Sequence, residues 1–372
     1  MSTDKPVVVY GVSGYTGRLI CEYLRELGVP FVAAGRDAER VREVVEKIPG
    51  IETADYEIVG VENDAAALAE AFDGATVICN TVGPFIKFGP EVVEAALRIG
   101  AHYTDTTGEQ DWVMAARDRW GAQFAAKGLL LSPGIAHMYT TSEIAANIAL
   151  EPGGYDTLDI LVFWKGLPTF ASTQTIFTIL KADWYYLEQN QLVAWDHLSR
   201  FDVTVPGYHE QAVAVPWGGM SHPIWFQHDP RVSSVRSFGG VLNRAVMENV
   251  GLTVQMFEEQ IKPLEPEAQE KALADIAAGL QASMPPRENP RYNRSVDSVH
   301  ASGPLGRSHV VIHGNSNYKQ TGLLQAFAAF SLIQEAPRRV GFASACQAFG
   351  YHELLGQLRA FGLVAEPVVT RV

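Results

Sequence analysis

The chain has 372 residues, a formal net charge of −13, 47% hydrophobic and 19% charged residues. Such a composition belongs to a packed globular chain rather than a disordered one, and its acidic balance offers no basic field for nucleic acid. Cys21, Cys79 and Cys346 are too few and too scattered for a disulfide framework or a zinc cluster. A reducing, cytoplasmic compartment is therefore expected. Residues 1–6 are short and polar, so no signal peptide is expected, and no apolar run reaches the ~18 residues of a membrane span.

The first element is the strand Val7-Val8-Val9-Tyr10, which reaches Gly11. Gly14 and Gly17 follow at intervals of three, and an apolar helical pattern covers residues 16–27. A strand joined this tightly to a helix needs glycine where a Cβ would clash. The helix then turns its unpaired N–H groups and positive dipole end toward the corner, a ready site for a diphosphate. Gly11, Ser13, Gly14, Tyr15, Thr16 and Gly17 are the expected cofactor contacts there, with an ordinary βα turn as the plain alternative.

A second strand over 31–34 runs into Gly35-Arg36-Asp37. A carboxylate after this strand suits the ribose of NAD(H), whereas Arg36 suits a 2′-phosphate, favouring NADP(H) over NAD(H). Arg40 stands one helical turn on, and Asp37 is expected to cap the Arg40 N–H. A weak strand over 57–61 and a helix over 65–72 capped by Asp64 come next. A fourth strand over 75–81 leads through Gly83-Pro84 to a helix over 90–99. Thr81, Val82, Gly83 and Pro84 are small or rigid enough to pass under a nicotinamide ribose. The fifth strand, 102–106, opens into Thr104-Asp105-Thr106-Thr107-Gly108-Glu109. Asp105, Gly108 and Glu109 are candidate ribose or substrate contacts, unless Thr107 simply caps the helix expected over 110–127. A sixth strand covers 129–132. Alternating strands and helices with brief loops predict an α/β fold, a Rossmann-type doubly wound parallel sheet, over residues 1–150.

From residue 151 the pattern becomes strand-rich and aromatic. Residues 159–163 read as a strand running into Trp164 and Lys165. Ser172 and Thr173 should open a helix toward Tyr186, and strands are expected over 201–205, 211–215 and 232–238. Residues 210–230 hold Trp217, His222, Trp225, Phe226 and His228. Two histidines six apart without a third ligand favour burial over metal binding. A helix over 265–280, an exposed loop over 285–290 and a strand over 309–313 follow. The helix over 321–334 is too apolar to be exposed on any side and should return the chain to the first domain. Gly341-Phe342 and a helix over 351–361 close the chain. This divides it into 1–150, 151–313 and 314–372.

Four motifs in order resemble the saccharopine dehydrogenase-like oxidoreductases, nearest the branch of trans-acting enoyl reductases. They are Tyr10-Gly11-Val12-Ser13-Gly14-Tyr15-Thr16-Gly17, Ala34-Gly35-Arg36, Thr81-Val82-Gly83-Pro84-Phe85 with Gly89, and Tyr103-Thr104-Asp105-Thr106-Thr107-Gly108-Glu109. The resemblance implies a Rossmann domain with an inserted α+β substrate or dimerisation domain, and NAD(P)H as hydride source. Trp164, Phe170, Phe177, Trp184, Tyr185, Trp195, Trp217 and Trp225 in the second domain favour an apolar small-molecule substrate. Reduction of an activated C=C bond is the first expectation. An imine reductase or amino-acid dehydrogenase, and a nucleotide-bound protein without turnover, are the alternatives. Proton-donor or catalytic candidates, from position only, are Lys165, Tyr139, His137, Tyr185 and Glu109. No metal is expected, and a sheet with an exposed edge is compatible with a homodimer.

Overall fold

The computed structural model describes residues 3–166, 168–279 and 285–372. The chain begins β1 (Val7–Tyr10), α1 (Tyr15–Glu26), β2 (Phe31–Gly35), α2 (Ala38–Val45), β3 (Tyr56–Gly60), α3 (Ala65–Ala71), β4 (Val77–Asn80) and α4 (Phe85–Ile99). It continues with β5 (His102–Asp105), α5 (Gln110–Ala126), β6 (Leu130–Ser132), α6 (His137–Leu150), β7 (Thr157–Trp164), α7 (Phe170–Ile179), β8 (Tyr185–Glu188) and β9 (Gln191–Ala194). Next come β10 (Phe201–Thr204), β11 (Gln211–Ala214), α8 (His222–Phe226), β12 (Ser234–Val241), α9 (Arg244–Met256) and α10 (Pro266–Gly279). The last elements are β13 (Arg294–Gly303), β14 (Gly306–Asn315), α11 (Asn317–Gln334), β15 (Gly341–Phe342), α12 (Ala345–Phe349), α13 (Tyr351–Ala360) and β16 (Val368–Arg371). The end expected for the 265–280 helix, Leu280, lies outside the described residues.

The described residues divide into two units. One holds those up to Thr107, with Trp112–Thr140 and Tyr318–Gly362; the other holds Gly108–Asp111, Thr141–Asn317 and Leu363–Val372.

The first unit is built on a sheet of order β15-β6-β5-β4-β1-β2-β3, with every pair parallel. Strand β1 is its centre: Val7, Val8 and Val9 are fully buried, as expected of a strand covered by helices on both faces. The strand order reverses between β1 and β4, so the carboxyl ends of those strands form the crevice where this fold takes ligands. Asp37 and Asp64 cap α2 and α3 as their sequence positions imply, accepting from Arg40 N and from Ala66 N and Ala67 N. Helix α4 starts at Phe85 and contains Pro90 rather than starting there. Within it, Gly89 lies so close to Trp112 that a Cβ would stand 2.5 Å from the indole. Strand β15, a two-residue edge strand beside β6, is too short to leave a periodic signal.

The second unit carries a mixed sheet of order β16-β14-β13-β7-β12-β8-β9 and a separate β10–β11 pair. Only β7 and β12 are parallel neighbours in that sheet. The helix expected to reach Tyr186 ends at Ile179. Thr169, three residues ahead of the expected cap, accepts from Ser172 N. The residues beyond pair as the β8–β9 hairpin, turning through Gln189 and Asn190 at φ 48° and 63°. Two left-handed residues without a glycine gave no turn signal. Apolar side chains of α7, α9 and α10, among them Phe177, Ile179, Val254 and Leu273, make a core of their own.

Alanine at Gly89 is expected to lower stability by about 1–3 kcal/mol, although alanine is the better helix former, because Trp112 is fully buried and cannot retreat. Urea unfolding of Gly89→Ala against the parent chain measures it; an unchanged midpoint would contradict the packing described.

Candidate functional site

The β1–α1 corner is built by close contact. Gly11 adopts φ +98°, and a Cβ on it would lie 2.5 Å from Thr81 Oγ1 and 2.9 Å from Val82 Cγ2. A Cβ on Gly17 would lie 2.7 Å from the Gly11 carbonyl oxygen, so α1 rests directly on the loop that precedes it. The Gly14 N–H donates to Gly11 O at 3.0 Å, and the Gly11 and Val12 N–H groups both donate to Ala34 O. No side chain caps α1 at Gly14, and its first turn holds no acidic residue. Gly11, Ser13, Gly14 and Thr16 are half-buried along this loop, while Tyr15 and Gly17 are buried. Tyr15 packs edge-on against Tyr318, ring centres 5.2 Å apart, so its ring is committed to packing.

Three arginines, Arg18, Arg36 and Arg40, lie on the segments that follow β1 and β2. Arg18 donates from Nε to Gly14 O and lies over the Tyr15 ring. Burial, and then the charge of Arg40, hold its guanidinium below the usual range. The exposed Arg36 acts on Tyr10, whose phenol burial pushes up to about 12. Asp37 is spent on its cap. Glu62 acts on the Tyr10 phenol against Arg36, so the corner offers backbone glycines, an uncapped helix end and arginines on the flanking segments, a set that fits a dinucleotide carrying a further phosphate.

Strands β4, β5 and β6 are tied at their carboxyl ends by the side chain of Asp105. This residue is fully buried, and its carboxylate is taken up by the protein's own donors. Its carboxylate accepts from Tyr103 Oη and Trp112 Nε1, each at 2.8 Å, from Thr107 N at 3.0 Å and from Gly134 N at 2.8 Å. The Tyr103 hydroxyl accepts in turn from Asn80 Nδ2 at 3.1 Å, and Asn80 Oδ1 accepts from Val82 N at 2.9 Å. Gln325, on α11, donates to the Asp105 and Ile135 carbonyls and accepts from Thr104 Oγ1. Asp105 therefore sets the shape of the loop Thr81-Val82-Gly83-Pro84 from inside. Burial pushes its carboxyl up to about 6, against these four hydrogen bonds, which pull it down. The part that Asn80, Tyr103, Trp112 and Gln325 play in this network escaped the sequence reading, although Tyr103 stands in one of the quoted motifs. The one available signal was Gln325, a lone amide in an apolar helix that has to be satisfied.

The catalytic candidates divide between the units. His137 and Tyr139 sit in the first turn of α6 in the first unit, both buried, and His137 N donates to Thr321 Oγ1 at 3.1 Å. Glu109, Gly108, Lys165 and Tyr185 belong to the second. Glu109 is fully buried, and its neighbour Gln110 donates to the backbone oxygens of Tyr185, Gly219 and Met220. Lys165 is exposed, its ammonium 4.5 Å from the centre of the Tyr292 ring. Tyr185 faces Asp183 at 3.4 Å; burial and then that carboxylate raise its phenol. His222 is buried between Ser142 Oγ at 2.9 Å and Ser237 Oγ at 3.2 Å, and Trp225 and Phe226 are buried with it. No group of three or more His, Cys, Asp or Glu placed to hold a metal ion occurs among the described residues. Nor is any helix among them long and apolar enough to cross a membrane.

Residues 7–126 match the saccharopine dehydrogenase NADP binding domain, and residues 140–372 match a family of unknown function, DUF5938. The chain belongs to the DUF5938 family, and its residues 7–126 form a saccharopine dehydrogenase NADP binding domain. A lipid droplet localized protein of Caenorhabditis elegans is 34% identical over 131 residues, 33% of this chain and 31% of that protein. A trans-acting enoyl reductase of Mycobacterium leprae is 34% identical over 134 residues, 34% of this chain and 32% of that protein. The matched stretch thus spans about a third of the length of these relatives. Apo saccharopine dehydrogenase (L-Glu forming) of Saccharomyces cerevisiae shares the fold across 98% of this chain and 100% of its own, with TM-score 0.61 at 13% identity.

A carboxyl with its folded pKa raised contributes stability that is fully present below the ordinary carboxylate range and lost as pH rises through the folded value, here about 6. Asp105→Asn should cost at least about 1.5–3 kcal/mol, one hydrogen bond to a charged group. The gap to the parent chain should narrow as pH rises from about 4 to about 7. Urea unfolding at several pH values measures both; a gap that widens with pH would contradict the assignment.

Proposed function

We propose that the chain is an NADPH-dependent oxidoreductase that reduces an activated C=C bond of a hydrophobic small molecule. The observation that carries this reading is the Gly11–Gly17 corner, with an uncapped helix end beside Arg18, Arg36 and Arg40. NADPH supplies the hydride. In this reading the backbone of Gly11, Ser13, Gly14 and Thr16 holds the diphosphate, with Tyr15 and Gly17 packing behind it. Arg36 grips the 2′-phosphate, and Thr81, Val82, Gly83 and Pro84 run under the nicotinamide ribose. The proton for the developing enolate comes from His137, Tyr139, Glu109 or Lys165, of which a donor must come within about 2.6–3.2 Å of the substrate oxygen. The preference for C=C over C=N follows the relatives named as enoyl reductases, and the apolar substrate follows the aromatic second unit. Cytoplasmic location and a homodimer belong to the same reading. The exposed edge strand β16 is where a second copy would pair.

Fluorescence titration with NADPH and NADH tests the cofactor half. NADPH should bind more tightly, and Arg36→Ala should remove roughly tenfold or more of that preference, about 1.5–3 kcal/mol. Equal binding of both cofactors to the parent chain would contradict the role of Arg36. NADPH oxidation with a long-chain 2-enoyl thioester tests the chemistry. Oxidation that instead requires an amine and a 2-oxo acid would assign imine reduction.

A further inference from the structure

The second unit contains a cavity of about 570 Å³, within the roughly 300–1,000 Å³ range of small-molecule sites. Ile179, Leu180 and Trp184 wall one side, and Val250, Leu252 and Val254 of α9 wall the other. Leu198 and Leu252 also line it and are 51% and 63% exposed, so apolar surface continues from the interior to the rim.

Part of the wall is a strained turn. Trp217, Gly218, Gly219 and Met220 are four successive left-handed residues, at φ 48°, 72°, 81° and 54°. Two of them are not glycine, and Met220 combines its φ with ψ 173°, a region that side chains other than glycine's avoid. The turn stays in place because Gln110 donates to the oxygens of Gly219 and Met220. Gly218 is close enough to Ile179 that a Cβ would stand 2.6 Å from its Cγ2. Strain of this kind gathers where a chain is shaped around a ligand.

The polar groups on the lining are unequal. His197 is spent: Nδ1 meets Glu258 at 2.7 Å, and the ring stacks on Trp184 with centres 4.0 Å apart. Glu248 takes the Nε of Arg244 at 3.1 Å. Arg200 forms an ion pair with Glu248 at 3.7 Å, too long for a hydrogen bond, and Glu248 is shared with Arg244, so the planar guanidinium has room to take a second acceptor. A guanidinium that can take a further acceptor, at the mouth of an apolar cavity, complements an anion on an apolar chain.

We propose that this cavity binds an amphiphile with a single apolar chain and a carboxylate head, the chain between α7 and α9 and the head on Arg200. The site requires no dinucleotide, so it stands or falls apart from the reductase reading. Calorimetric titration of the full chain, without NADPH, tests it with dodecanoate and dodecyltrimethylammonium below their micelle concentrations. Dodecanoate should bind at least tenfold more tightly than the cationic chain. Arg200→Ala should abolish that preference while leaving chain binding measurable. Val250→Trp, which fills the cavity, should abolish binding of both while NADPH affinity stays as in the parent chain. Equal binding of the two amphiphiles, no binding of either, or unchanged dodecanoate binding in Val250→Trp would overturn the proposal.

Discussion

Helix α1 lies on the carbonyl of Gly11 with no room for a side chain between them. A Cβ at Gly17 would sit 2.7 Å from that oxygen, and one at Gly11 would meet Thr81 at 2.5 Å. This contact fixes three things together. It aims the helix end at the carboxyl edge of the sheet, brings the β4 loop against the β1 loop, and leaves backbone rather than side chains facing the crevice. A phosphate needs such a surface, because N–H groups and a helix dipole supply attraction without the desolvation of a buried lysine.

Asp105 supports the same crevice from within. A carboxylate buried at a strand end is costly unless its oxygens are satisfied, and here four donors from three different segments converge on it. Through Tyr103 and Asn80 the tie reaches the Val82 N–H, so the loop that borders Gly11 is held by the core rather than by its own exposed residues. The carboxyl edge of the sheet is thereby cross-linked from inside by buried hydrogen bonds.

Much of the first unit was legible because its local and global signals agree. Short β-branched runs, Asp37 and Asp64 as caps, and glycines at the turns all point to one parallel sheet. What stayed hidden depends on partners distant in sequence. Asp105 reads as an available acid, since nothing near it announces Trp112, the Gly134 N–H or the Tyr103–Asn80 relay. The start of α4 was misplaced because Pro90 resembles a first helical residue, whereas the helix carries it inside. In the second unit, the expected helix runs into the start of β8, and the hairpin goes unrecognised because its turn uses Gln189 and Asn190 where a hairpin ordinarily advertises glycine. Strand β16, exposed throughout, has no alternating face to recognise. The cavity between α7 and α9 has no linear signature at all.

The central claim is that the β1–α1 corner holds a diphosphate and that Arg36 takes the phosphate at the adenosine end. A crystal structure with NADP⁺ bound tests it most directly. Diphosphate oxygens roughly 3 Å from the N–H groups between Ser13 and Thr16, with the 2′-phosphate on Arg36, are the result the account requires. A dinucleotide seated elsewhere, or a corner filled by one of the chain's own side chains, would contradict it.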